Sequence, residues 1–179
     1  MNTILSDTQP MPPLERMRRL YDFWRGLPDD RPRSAVDLNA LDAEIRTHVG
    51  IGKYLGECAD LRYDVIGPVL HRLAPRLVPG SLSSDVLKIR RTDFDMAHNL
   101  LCAVGRAGKP RVYRIYYRTV ESIQVRCFSM MLPLGTSGDG GPATDLLFGI
   151  WEIETPGRSV IDRFDDLTDM FLARCREHA

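Results

Sequence analysis

Lysine is scarce in this chain and neither charge is in excess. Lys53, Lys88 and Lys109 are the only lysines; arginine carries the rest of the basic charge, and 24 basic residues against 24 acidic ones leave a formal charge of zero. No global field therefore draws the chain toward nucleic acid or an anionic membrane. Long apolar runs are missing as well: no window approaches the ~20 apolar residues that cross a bilayer. The opening MNTILSDTQPMPP has neither a basic n-region nor an apolar h-region, so a cytoplasmic protein without a membrane span is expected. Cys58, Cys102, Cys127 and Cys175 are scattered, with no Cys-x-x-Cys pair. They suit a reducing compartment and read as small buried hydrophobes rather than a disulfide framework or a zinc site. None of His48, His71, His98 and His178 forms a His-x-x-x-His pair, so no metal site is expected.

What is present is the composition of a globular domain: 179 residues, 44% hydrophobic and 27% charged, enough for one core with extensions. Residues 1–13, with Pro10, Pro12 and Pro13, read as a flexible arm. Residues 14–46 read as an N-terminal helical flank. Its first helix, 14–24, carries the stripe Leu14, Met17, Leu20, Tyr21 and Trp24, and a shorter helical piece follows at 38–46. Strand-like runs at 49–57 and 61–66 predict a hairpin. Gly50, Gly52 and Gly56 leave one side of the first run nearly bare, as a bulge or the close approach of a backbone or ligand would require. Short helical turns are expected over 69–80 and a long helix over 85–104, with Ser83, Ser84 or Asp85 as its cap. Three strands, 112–120, 123–132 and 146–153, then form an antiparallel meander. In the segment 159–178, Val160, Phe164, Leu167 and Phe171 step by helical spacing, which predicts a C-terminal helix with a packing seam.

Several short stretches carry a family likeness. They are Leu20-Tyr21-Asp22-Phe23-Trp24-Arg25-Gly26-Leu27-Pro28 followed by Arg31-Pro32-Arg33-Ser34-Ala35-Val36-Asp37, Arg62-Tyr63-Asp64-Val65-Ile66-Gly67, Gly80, and Met131-Leu132-Pro133-Leu134 followed by Gly138-Asp139-Gly140 and Leu146-Leu147-Phe148-Gly149. In this order and spacing, covering most of residues 14–154, the chain resembles the stand-alone PAS-like proteins of alphaproteobacteria. It departs from their pattern at Asn39, where a proline is common, and near Arg46-Thr47-His48, where a Leu-Pro step is expected. The resemblance implies an α+β fold: a PAS-like core at 47–155 with a five-stranded antiparallel sheet, helices over one face, and flanking N- and C-terminal helices, the latter at 156–179. It also implies a non-enzymatic sensory or signalling module that binds a small ligand, a protein partner, or both.

Under that expectation the ligand pocket lies between the sheet and the long helix. Periodicity nominates Phe94, His98, Leu101, Tyr113, Ile115 and Trp151 as its lining. Haem-binding PAS sensors place an axial histidine on the equivalent helix, which makes His98 the haem-ligand candidate against the plainer reading of a hydrogen-bonded helix residue. The seams Leu14, Met17, Tyr21 and Trp24, and Val160, Phe164, Leu167 and Phe171, are the candidate surfaces for a homodimer or a signalling partner. Catalytic motifs are missing: there is no Walker-type loop, ATP lid or phosphoacceptor box, and no flavin-adduct cysteine. Gly138-Asp139-Gly140-Gly141-Pro142 precedes no helix and reads as a turn. Asp162, Asp165, Asp166 and Asp169 read as a solvated acidic face. Arg111, Arg114 and Arg118 alternate with Tyr113, Tyr116 and Tyr117 on one strand; the zero net charge favours a sheet or partner face over nucleic acid. A constitutive scaffold without ligand is the alternative to the sensor. A small α+β enzyme is the third reading, because a triad is spatial rather than sequential.

Overall fold

Proline at the first helical position costs no hydrogen bond, because that N–H has no intrahelical acceptor; helix α1 (Pro13–Arg25) begins this way. The computed structural model describes residues 12–86, 91–118, 123–136, 141–152 and 160–177. Most of the expected arm and the turn residues 138–140 lie outside them. In α1 the stripe buries Met17, Leu20 and Trp24, and the Trp24 indole N–H donates to the Pro133 carbonyl at 2.8 Å. After Gly26 the chain folds back: the Arg31 guanidinium stacks 4.2 Å from the Trp24 ring, and its carbonyl accepts from Gly135 N–H at 2.7 Å. Two 3-10 turns, Arg33–Ala35 and Leu38–Ala40, and the short helix α2 (Ala43–Arg46) lead into the sheet.

Strands β1 (Val49–Leu55) and β2 (Asp60–Ile66) form the expected hairpin. Helices α3 (Pro68–Leu73), α4 (Ser83–Val86) and α5 (Arg91–Ala107) follow, so the segment expected as one helix over 85–104 contains the end of α4 and most of α5. Strands β3 (Arg111–Arg118), β4 (Ile123–Leu134) and β5 (Asp145–Glu152) make the meander. The chain returns to its start where β1 pairs with β5.

Three expectations need correction. The sheet has six antiparallel strands, in the order β2-β1-β5-β4-β3-β6, not five. The extra strand is β6 (Val160–Asp166), followed by α6 (Thr168–Glu177), in the segment expected to be a single helix. Spacing by four and three residues suits a helix locally, but β3 offers an unpaired edge, and β6 satisfies it with Phe164 opposite Ile115 and Asp165 opposite Arg114. The strand closes when Thr168 N–H binds the Asp166 carboxylate at 2.9 Å and Leu167 N–H reaches the Val112 carbonyl at 2.8 Å.

The third correction is that helices cover both faces of the sheet. On one face α1, α2 and α6 enclose Val49, Ile51, Val112, Met130, Leu132, Leu147 and Trp151. On the other, α4 and α5 pack over Tyr54, Leu61, Tyr63, Tyr113, Met131, Leu146 and Phe148. Strand alternation explains the division, since Leu147 and Trp151 point one way and Leu146 and Phe148 the other. Arg33 pins the incoming segment to the β2 and β5 edge of the first face by pairing with Asp64 and with Asp145 at 3.2 Å. Among the described residues no helix is long and apolar enough to cross a membrane.

Candidate functional site

The six pocket positions do not share one cavity. Leu101, Tyr113 and Ile115 are buried; Leu101 and Tyr113 lie in the layer between the sheet and α5, and Tyr113 meets the Phe164 ring edge-on at 6.3 Å. Trp151 is fully enclosed in the opposite layer, its ring parallel to that of His48 at 6.5 Å. The Phe94 side chain lies outside the described residues. The bare side of β1 has occupants of its own: a Cβ on Gly50 would lie 2.5 Å from the Phe148 ring, and one on Gly52 2.8 Å from the Leu61 side chain. Side chains of the protein therefore take up the space that the glycines leave. Tyr54 passes across the layer to donate its hydroxyl to the Leu101 carbonyl at 2.8 Å, and burial pushes its pKa far up.

Polar chemistry gathers at the edge of this layer, where the β1–β2 turn, α4 and α5 meet. The turn is tight, with Glu57 and Cys58 at positive φ of 55° and 64°, a conformation that side chains other than glycine rarely adopt. It rests against α5 at Gly105, where a Cβ would strike the Tyr54 ring at 2.6 Å and the Cys58 sulfur at 2.8 Å. At the start of β2, the Asp60 carboxylate accepts from the Ser83 hydroxyl at 2.5 Å, from Ser84 N–H at 3.1 Å and from Leu61 N–H at 2.8 Å. The Ser83 oxygen lies 3.2 Å from His98 Nδ1. His98 Nε2 lies 3.5 Å from the Cys102 sulfur, which is 3.6 Å from the Ala59 carbonyl.

Ser83 has one hydroxyl proton and gives it to Asp60, which leaves the Ser83 oxygen as an acceptor toward the imidazole. Nε2 faces the Cys102 sulfur, and the thiol donates to the Ala59 carbonyl. Burial works to raise the Asp60 pKa, but the hydrogen bonds from Ser83, Ser84 and Leu61 outweigh it and hold the carboxyl below its ordinary range. Burial pushes the Cys102 thiol up, which keeps it protonated and weakly nucleophilic. Ser83 is fully buried and Cys102 is 4% exposed, so the chain Asp60, Ser83, His98, Cys102 joins three elements and exposes neither nucleophile to a substrate. With both ring nitrogens of His98 engaged, axial ligation of haem requires one of these contacts to break.

Only part of this constellation was legible in the sequence. His98 stood out, and Cys102 follows it by four residues, the spacing that brings side chains together on a helix. Ser83 was visible as a cap. Asp60 gave no local signal, because it arrives through the fold of the hairpin.

A second feature lies on the far side of the sheet. The two expected partner seams meet inside the chain: Met17, Trp24 and Phe171 are buried, and Tyr21 packs edge-on against Phe171 at 5.7 Å. Phe164 belongs to the other face, packed against the α5-side core, Leu167 is packed against the α1-side core, and the Val160 side chain lies outside the described residues. Leu14 alone among the named α1 positions is exposed, at 40%. It walls a groove of about 330 Å³ between α1 and α6, lined by Glu15, Arg18, Phe171, Arg174 and Cys175 as well. On the adjoining sheet surface the Tyr116 ring is flanked by Arg114 and Arg163 at 5.1 and 4.1 Å, with Asp165 paired to Arg114. Among the described residues no group of three or more His, Cys, Asp or Glu is placed to hold a metal ion. No family model matches the chain, and no curated protein or solved structure matches it.

Proposed function

We propose that the chain is a cytoplasmic PAS-like signalling module that acts by binding a protein partner and carries out no turnover chemistry. The observation that carries this reading is that side chains of the protein occupy the space over the bare side of β1, between the sheet and α5. Phe148 and Leu61 occupy the space over Gly50 and Gly52, and Tyr54 is tied to Leu101, where the family resemblance implies a ligand. The order of two strands, helices and three strands, joined through the β1–β5 pair, supports the PAS-like part of the reading. The burial of Ser83 and Cys102 supports binding over catalysis, since a nucleophile must reach its substrate.

A small-molecule sensor is the second reading. It is favoured by the polar chain from Asp60 to Cys102 at the rim of the same layer, which gives a ligand groups to contact if that layer opens. Native mass spectrometry with an absorbance spectrum, on protein purified from its own host, separates the two. A defined protein complex without a small-molecule mass or Soret band is expected. A chain that carries such a mass or band replaces the first reading by the second, and a chain with neither ligand nor protein partner removes both.

A further inference from the structure

Resting on the partner-binding reading, we infer that the groove between α1 and α6 seats a large apolar side chain of a partner protein, whose neighbouring carboxylate pairs with Arg174. The groove has an apolar floor and a basic rim. Phe171 and Cys175 form the floor and are 5% and 6% exposed, while Leu14 forms a wall that is 40% exposed. A volume of about 330 Å³ lies at the lower end of binding pockets. The exposed wall cannot enclose a small ligand on most of its surface, but it matches an anchor side chain delivered by a larger partner.

The charges decide what flanks the anchor. Arg18 and Arg174 line the groove against one carboxylate, Glu15. That carboxylate is held by Arg18 and Arg19 of its own helix at 3.0 and 3.1 Å, and among the described residues no carboxylate pairs with Arg174. The unspent charge is positive. A second copy docked by a two-fold axis would set the same patch against itself and bring arginines together, so a partner segment bearing Asp or Glu complements the groove better.

The test is fluorescence anisotropy of the full chain with labelled helical peptides of about four turns. One presents a Leu and Phe stripe flanked by Glu, another the same stripe flanked by Lys. The Glu peptide is expected to bind about tenfold tighter, Leu14→Ser to weaken it, and Arg174→Glu to reverse the preference with the fold retained in circular dichroism. Equal binding of the two peptides, or binding of neither, overturns the assignment. A dimer in sedimentation that dissociates on Leu14→Ser makes a second copy the occupant and also overturns it. A host partner whose complex survives both substitutions overturns the groove and leaves the partner-binding reading standing; the absence of any host partner removes both.

Discussion

On the α1 and α6 side of the sheet the buried layer is apolar almost throughout, with Met17, Leu20, Ile45, Leu132, Leu147 and Trp151 enclosed. On the α5 side Tyr54, Tyr63 and Tyr113 share the layer with Phe148 and Leu146, and Asp60, Ser83, His98 and Cys102 link hydroxyl, carboxylate, imidazole and thiol along its edge. One side is held by close packing, whose loss costs in proportion to the volume removed. The other is held in part by directional bonds, whose loss costs most when a buried charge is left short of donors. The same sheet thus separates a layer specified by shape from one specified by shape and directional hydrogen bonds.

Substitutions can break that contrast, and the largest effect should come from the apolar side. Trp151→Ala removes a fully buried side chain and should lower stability by about 3–5 kcal/mol in urea unfolding. Next comes Gly50→Ala on the other side. Its Cβ would fall 2.5 Å from the Phe148 ring and 2.8 Å from the Val65 carbonyl, so overpacking should cost about 1–3 kcal/mol, and pairing it with Phe148→Leu should recover part of the loss.

Ser83→Ala should cost about 1–3 kcal/mol at neutral pH, because the Asp60 carboxylate loses its closest donor. The pH dependence carries a definite sign. Asp60 titrates below its ordinary range in the folded protein, so its contribution is present above the unfolded pKa of about 3.9 and is lost as pH falls through the lower, folded value. The difference between Ser83→Ala and the unsubstituted protein should therefore narrow as unfolding is measured from pH 7 down to about 3.

The smallest effect compares the two tryptophans. The Trp24 indole N–H donates to Pro133, whereas the buried Trp151 indole N–H has no hydrogen-bond partner among the described residues. Trp24→Phe should therefore cost about 1 kcal/mol more than Trp151→Phe. Equal losses in paired thermal unfolding would mean that the Trp24 bond adds nothing beyond packing.

Much of the architecture was legible along the chain. Runs rich in Val, Ile, Tyr, Phe and Trp joined by short links marked β3, β4 and β5, and the stripe Met17, Leu20 and Trp24 marked both α1 and its buried side. Where that reading failed, the deciding contacts were remote in sequence. Val160 to Asp166 satisfies a helical spacing and still pairs with β3, because an unpaired sheet edge offers backbone hydrogen bonds that local spacing does not register. Trp151 looked like a pocket residue by alternation, but alternation alone does not say which face an element covers. In the candidate site His98 and Cys102 were within reach of sequence reasoning, whereas Asp60 joined them through the hairpin and α4.

The sequence by itself determined the α+β class, the two-strand and three-strand blocks, and the apolar stripe of α1, because these follow from periodicities of two and 3.6 residues within single elements. Only the tertiary structure decided that the sheet has a sixth strand, that helices cover both of its faces, and that α1 and α6 spend their seams on one another and the sheet. Those outcomes depend on which surfaces meet when residues far apart in the chain compete to bury the same apolar area and satisfy the same backbone groups.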